Sequence, residues 1–429
     1  MLTAAPASAA GTDGVLVQHD DGRITVEHRD SALRSLTGFA ARTGKRSGVR
    51  FAEPNRTYGA ASTPNDPLFS EQWSLTDNEV IGAGSAWDQT TGSDVTVAVI
   101  DSGVDLNHPD LAENIWANTD EIAGNGIDDD GNGFVDDARG WNFVANSPNP
   151  QDDNGHGTHV AGIIGAKGNN GVGVAGVAWK AKIMPIKVLD AGAIGSAATL
   201  ALGIRYAVAN GAQVINLSVS GPGYSRAFEE AVQLASDSGV IVVGAAGNDG
   251  RSIDETPVYP AAFTAPLLLT VAATAPGGGL SSVSNFGAAF VKLAAPGQDV
   301  VSTALGGGYE RRTGTSMAAP HVAGAAVLLV SARPDLGAAG WRDALLASAK
   351  KGLPVSSGSL NLAGALQGAL GARYRSALKR SSSSLKRTAC SLRRAKALSA
   401  ATKRKLHGQL ALNKAGSCTA STTGGQLGL

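Results

Sequence analysis

The chain has 429 residues, enough for one large domain with appendages, and its apolar fraction of 43% can fill a sizeable core. Glycine is abundant at 56 residues, aromatic residues are few, and no stretch reads as long and apolar enough to span a membrane. The net charge of zero conceals an asymmetry: no acid follows Asp343, whereas 15 of the 36 Lys and Arg do, so the first part is strongly acidic and the remainder strongly basic.

In chain order, Ala5-Pro6-Ala7-Ser8-Ala9-Ala10 has the small residues of a secretion-signal cleavage region but lacks the charged and apolar parts that precede one. Residues 1–10 therefore read either as a signal remnant or as a flexible end. Runs at 15–17 and 24–26 predict strands, 31–41 a short helix, and 48–55 another strand. From Thr63 the pattern alternates. Apolar, β-branched runs at 95–100, 182–189, 214–217, 240–244 and 267–272 predict parallel strands buried on both faces. Helical patterns fall between and after them at 159–164, 199–210, 225–238 and 316–329, with a surface helix over 341–349. Such alternation predicts an α/β fold, a doubly wound, mostly parallel sheet with helices on both faces. Residues 371–429 differ: a Ser run at 381–384 and Leu378, Leu385 and Leu392 among Lys and Arg predict a basic, helical extension. The only cysteines, Cys390 and Cys418, lie there, so disulfides are excluded before residue 390.

Three Gly-rich segments carry the chemistry. Val99-Ile100-Asp101-Ser102-Gly103 places a carboxylate at a strand end. His156-Gly157-Thr158-His159 supplies imidazole, and Gly314-Thr315-Ser316-Met317-Ala318-Ala319-Pro320 supplies a hydroxyl at a helix start. A base-activated hydroxyl with an orienting carboxylate is what acyl transfer requires. A metal pair from His156 and His159 is disfavoured by the missing HExxH spacing. In the order Asp, His, Ser these blocks resemble the subtilisin-like serine peptidases, and thermitase-like members in particular, over about 63–370.

The resemblance implies a secreted serine endopeptidase working through an acyl-enzyme, with Asp101, His156 and Ser316 as triad and Asn248, in Val242-Val243-Gly244-Ala245-Ala246-Gly247-Asn248, as oxyanion donor. Ser218, Val219, Ser220 and Gly221 match the segment that pairs with substrate backbone, opposite Ala193, Ile194 and Gly195; the family usually has Gly where Ser220 stands. Ala245, Ala246 and Gly247 would form an S1 wall and Val258 its floor, favouring a medium apolar side chain, whereas Asp249 on the rim would attract a basic one. Met317, beside the nucleophile, is an expected oxidation site. Residues 11–61 resemble a shortened propeptide, ending near Glu53-Pro54-Asn55, ahead of a peptidase domain at 62–370 and a basic extension at 371–429. The competing classes are a non-catalytic binding protein that keeps the fold and a hydrolase acting mainly on esters. Gly-Thr-Ser-Met-Ala in place of the esterase elbow Gly-x-Ser-x-Gly speaks against the latter.

Structural Ca²⁺ is the expected cofactor, at one or two sites, with no organic cofactor. In 127–137, oxygens from Asp128, Asp130 and Asn132 fall at alternate positions, Gly133 makes the turn, the Phe134 carbonyl follows, and Asp136 or Asp137 would close the site. The alternative is a solvated acidic loop. The resemblance implies a second set from Asp66, Asp110 and Asn170, with carbonyls of Gly168, Val172 and Val174. Expected partners are protein or peptide substrates, the chain's own propeptide and, through the basic extension, polyanions; the protein is expected to be a monomer.

Overall fold

The computed structural model describes residues 14–28, 36–55 and 63–370. They form two compact units, divided between Ser62 and Thr63. The signal-like residues, the first part of the helix expected from Ser31, and the basic extension with both cysteines lie outside the described residues.

The first unit is an antiparallel sheet of three strands, β1 (Gly14–His19), β2 (Ile24–His28) and β3 (Val49–Pro54), with β1 central, and one helix, α1 (Leu36–Thr43). Val15 and Val17, two apart on β1 and so on one face, are buried with Ala40 of α1.

The second unit begins with two short helices, α2 (Trp73–Thr76) and α3 (Ala83–Trp87), then β4 (Thr96–Asp101), β5 (Trp141–Asn142), α4 (His156–Gly165) and β6 (Lys182–Lys187). It continues through α5 (Ala197–Ala209), β7 (Val214–Leu217), α6 (Arg226–Asp237), β8 (Ile241–Ala245), β9 (Leu268–Thr274) and β10 (Leu293–Pro296). A small antiparallel pair, β11 (Val300–Ala304) and β12 (Gly308–Arg312), leads into α7 (Thr315–Ala332), α8 (Gly337–Ser348) and β13 (Gly358–Ser359). The main sheet runs β13-β10-β9-β8-β7-β4-β6-β5, with every neighbouring pair parallel. The expected α/β architecture is therefore present.

The local causes are plain. Strands β4, β7, β8 and β9 are almost wholly buried because helices cover both faces. Helix α6 buries Phe228, Ala231, Val232 and Ala235, a spacing of three and four that makes one apolar face. Ser196 caps α5 through the Thr199 N–H in a reciprocal capping box. Helix α7 is apolar all round and nearly every residue of it is buried. Contrary to the expectation that no stretch is long and apolar enough to cross a membrane, α7 passes that test by length and composition; 83% of it is buried inside the fold, as for a core helix.

The site's position follows from topology. From β4 the chain moves to β5 and then β6 on one side, then crosses back to β7 on the other. Such a reversal opens a crevice at the carboxyl ends of the strands. The short strands β5, β10, β11, β12 and β13 are not apparent from the runs of apolar residues.

Candidate active site

Asp101 is the last residue of β4 and is fully buried. Two residues on, Gly103 has φ +105°, and a Cβ there would lie 2.5 Å from the Pro150 carbonyl oxygen, so this turn needs glycine. Asp101 Oδ1 accepts the Ser102 backbone N–H at 2.7 Å and lies 2.7 Å from His156 Nδ1. His156 opens α4, which starts three residues before the helical pattern expected from 159. Burial alone would lower the His156 pKa, but the charge and hydrogen bond of Asp101 outweigh it and the imidazole is held above its ordinary value.

A second buried carboxylate fastens this pair. Asp152 accepts the Ser102 hydroxyl at 2.8 Å, the Asn154 and Gly155 N–H groups at 3.0 Å, and the Thr158 N–H and hydroxyl at 2.9 and 2.6 Å. It thus binds the start of α4 to the residue after Asp101. The motifs do not mark Asp152; the one available signal is an acid four residues before His156.

Ser316 is the second residue of α7 and half-buried. Its hydroxyl donates to the Ser218 carbonyl at 3.2 Å, and the Ser218 hydroxyl donates to the Ser316 carbonyl at 2.9 Å, tying α7 to the end of β7. His156 and Ser316 line one cleft of about 460 Å³. Ser218, Val219, Ser220 and Gly221 line it too, as do Ala193, Ile194 and Gly195. The serine hydroxyl is bonded to Ser218 rather than to His156; such bonds commonly tighten only with substrate.

Asn248 is exposed just beyond β8. Its Oδ1 accepts both the Thr315 N–H at 2.8 Å and the Thr315 hydroxyl at 3.0 Å, which fixes the amide orientation and leaves Nδ2 as the unengaged donor. Ala245, Ala246 and Gly247 are buried behind it, and Val258 packs with Ala246 in a small apolar cluster. These four do not line the 460 Å³ cleft. A Cβ on Gly247 would lie 3.5 Å from Val258 Cγ2, so Val258 backs the wall at that point.

His159 is buried, with Nε2 3.1 Å from the Val300 carbonyl and 3.2 Å from that of Glu310. Burial and nearby Arg312 push its pKa down to about 3, so it is a neutral core residue. Met317 is 2% exposed, which shields the sulfur that adjacency to Ser316 marks for oxidation.

The acidic loop differs from the expected arrangement. Glu121, Asp128 and Asp130 bring carboxylate oxygens within 4.8 Å of one another. Glu121 is 8% exposed; its Oε1 accepts the Asp129 and Asp130 N–H groups, while Oε2 is buried without a hydrogen-bond partner. Glu121 lies outside the spacing motif, which is why the motif does not reveal it. Asp136 and Asp137, between which the closing ligand was expected, are engaged elsewhere. Asp136 accepts N–H groups of Gly124, Asn125 and Gly126. Asp137 accepts the Tyr206 hydroxyl at 2.6 Å and the side-chain amides of Asn118 and Asn132. The Asn132 amide also donates to Asp130. Phe134 anchors the loop, meeting Trp141, Phe143 and Tyr206 edge to face.

Of the other expected set, the side chains of Asp66 and Asp110 are joined through hydrogen bonds to Asn170. Asp66 accepts the Asn169 and Asn170 N–H groups, and Asp110 accepts from Asn170 Nδ2, the Val174 N–H and Tyr309. Asn170 Oδ1 accepts the Val172 N–H, and a Cβ on Gly168 would strike the Trp179 ring.

Comparison with known proteins gives one answer. Residues 92–365 match Peptidase S8, the subtilase family. Thermitase of Thermoactinomyces vulgaris is 41% identical over 269 residues, 63% of this chain and 86% of that protein. The thermophilic serine proteinase of Bacillus sp. (strain AK1) is 40% identical over 284 residues, 66% of this chain and 63% of that protein's length. A solved protease structure from Pseudoalteromonas arctica superposes with a TM-score of 0.59 at 35% identity, covering 72% of this chain and 100% of that one. A buried acid, an imidazole and a serine at the crevice of a parallel sheet thus stand in a chain that belongs to the subtilase family and is a subtilisin-like serine endopeptidase.

Proposed function

We propose that the enzyme cleaves peptide bonds by acylating Ser316. The substrate would lie extended in the cleft between 218–221 and 193–195. His156 Nε2 would take the Ser316 proton as the oxygen attacks the scissile carbonyl, and Asp101 would hold the Nδ1–H and stabilise the imidazolium. The Asn248 Nδ2–H₂ and the Ser316 N–H would bind the oxyanion. His156 would then protonate the leaving amine, and a water deprotonated by His156 would release the acyl group. The observation that carries this is the 2.7 Å Asp101–His156 contact with Ser316 in the same cleft. A fluorophosphonate probe tests it: labelling confined to Ser316, together with loss of casein digestion, supports the reading. Labelling elsewhere, or casein digestion by fully labelled protein, overturns it.

Ca²⁺ fits the acidic loop on one observation: a buried, unpartnered Glu121 oxygen beside two further carboxylates. Glu121, Asp128 and Asp130 would hold it, and the hard cation would neutralise their mutual repulsion. The Asp66, Asp110 and Asn170 set is the second candidate. We further read 11–61 as a propeptide removed by the enzyme itself, 62–370 as the peptidase domain and 371–429 as a polyanion-binding extension of a secreted, monomeric protein. The compact antiparallel unit before Ser62, the charge division after Asp343 and the signal-like start support this reading. An unprocessed Ser316→Ala precursor is the expected outcome; processing without added protease would contradict self-cleavage.

A further inference from the structure

The oxyanion donor stands on a loop, and loops hold a donor well only if something holds them. In residues 246–251 much of that support comes from one side chain, beside backbone bonds from the Ala246 N–H to Val271 and from the Gly250 N–H to Val283. Asn285 is fully buried, 37 residues further along the chain than Asn248. Its Oδ1 accepts the N–H groups of Asp249 at 3.0 Å and Arg251 at 3.2 Å. Its Nδ2 donates to the Ala246 carbonyl and to Asp249 Oδ2, both at 3.1 Å. Its own N–H donates to the Gly247 carbonyl at 2.9 Å. A carboxamide can accept two hydrogen bonds and donate two, and here all four go to the loop carrying Asn248. The approach is so close that a Cβ on Gly247, at φ +96°, would lie 2.5 Å from Asn285 Nδ2.

The support is itself anchored. The neighbouring Ser284 hydroxyl donates to the Asn285 carbonyl at 2.9 Å and accepts the Ala273 N–H of β9 at 2.8 Å. On the far side the Gly247 N–H donates to the Thr315 hydroxyl, which in turn donates to Asn248 Oδ1. The loop is therefore clamped between β9 and the start of α7, with Asn248 at its outer tip.

We infer that Asn285 is a positioning residue of the reaction: it fixes the 246–251 backbone so that the Asn248 amide is already in place when the oxyanion forms. This rests on the reading of Asn248 as oxyanion donor. Asn285 bonds to no group assigned to the proton transfers; it acts on kcat through Asn248, while its bonds to Ala246 and Gly247 of the expected S1 wall would show in KM. Purely structural support of the fold would slow the reaction equally whether or not Asn248 is present, whereas positioning would matter only while it is.

The test is a double-mutant cycle on the mature enzyme with a chromogenic peptide amide. Asn248→Ala alone should lower kcat by roughly 10²–10³, a size known for the corresponding donor in subtilisin and not obtained from this geometry. Asn285→Ala alone should lower kcat about tenfold or more while KM changes less than about threefold, and added to Asn248→Ala it should lower kcat by less than about threefold. An equal loss in both backgrounds, or no loss in the first, overturns the inference while leaving Asn248 in its role. No loss from Asn248→Ala overturns the oxyanion reading itself. Should Asn285→Ala fail to fold, the isosteric Asn285→Asp takes its place. It keeps both acceptor contacts but sets a carboxylate against Asp249 in place of the donated bonds, and the same cycle decides.

Discussion

The cleft and the acidic loop each hold one buried carboxylate oxygen without a hydrogen-bond partner, Asp101 Oδ2 and Glu121 Oε2, but they surround it differently. In the cleft, Asp101, His156 and Ser316 sit at the ends of β4, α4 and α7, and the supporting carboxylate Asp152 is satisfied by protein donors. In 121–137 the carboxylates are held by loop N–H groups and asparagine amides, and one buried Glu121 oxygen is left without a partner. The Asp152 network is complete as folded. The loop instead sets Asp128 and Asp130 within 4.8 Å of Glu121, the group proposed to take Ca²⁺, whereas Asp101 faces the imidazole of His156. The lesson is that an orphaned buried carboxylate oxygen does not by itself tell a catalytic region from a candidate cation site; what faces the carboxylate, an imidazole or further carboxylates, is the difference.

The largest effect that would sharpen this contrast is at Ser316, the proposed nucleophile. Ser316→Ala should reduce kcat by about a millionfold, a size taken from subtilisin rather than from this geometry, with an unchanged melting temperature. Activity within about tenfold of the parent would place the nucleophile elsewhere. The loop should respond in the reverse way. Saturating Ca²⁺ should stabilise the protein relative to EDTA by about 2.7 kcal/mol per site at a hundredfold excess over Kd. Glu121→Gln should shrink that difference with kcat per folded molecule unchanged. A melting temperature indifferent to chelator in the parent would remove the cation from the loop.

Acid should test the buried histidines. His159 and His321 have pKa values lowered to about 3 and about 4 by burial, so below the ordinary imidazole value the unfolded chain binds protons that the folded one refuses. Stability therefore falls as pH falls, by about 2 kcal/mol for each histidine at about pH 5. His156 acts oppositely: its folded pKa is raised, so its contribution is present at low pH and lost as pH rises through that value. Urea midpoints at about pH 5 and about pH 7.5 measure the balance, and equal midpoints would contradict two neutral buried imidazoles. The same raised value predicts that kcat/KM falls on the acid side at a pH above that of an ordinary imidazole, since the base must be neutral. Removing the basic extension should have the smallest effect: truncation after Leu370 should leave kcat unchanged, and a drop beyond about twofold would make the tail part of the catalytic unit.

How much is legible in the sequence follows from distance along the chain. Asp101, His156 and Ser316 announce themselves because each needs a local glycine pattern, and the strand at 214–217 coincides with β7 because a buried parallel strand must be apolar throughout. Helix α4 begins before its apolar pattern does because Gly155 and His156 carry no apolar signal. Glu121, Asp152 and Asn285 escape a reading of motifs for other reasons. Glu121 and Asp152 bond mostly to near neighbours, but through backbone N–H groups that leave no side-chain pattern, whereas Asn285 meets its loop across 34 to 39 residues. The motif 128–132 is visible, but which carboxylate completes it depends on how 118–126 folds back, a matter of backbone N–H groups with no side-chain pattern.

Helix α7 has one further consequence. It is embedded in the core along nearly its whole length, so the backbone that carries Ser316 is placed during folding, and only the half-buried hydroxyl has to turn from the Ser218 carbonyl toward His156. On heating, any loss of activity that precedes loss of tertiary structure should therefore arise at the Asn248 loop rather than at Ser316.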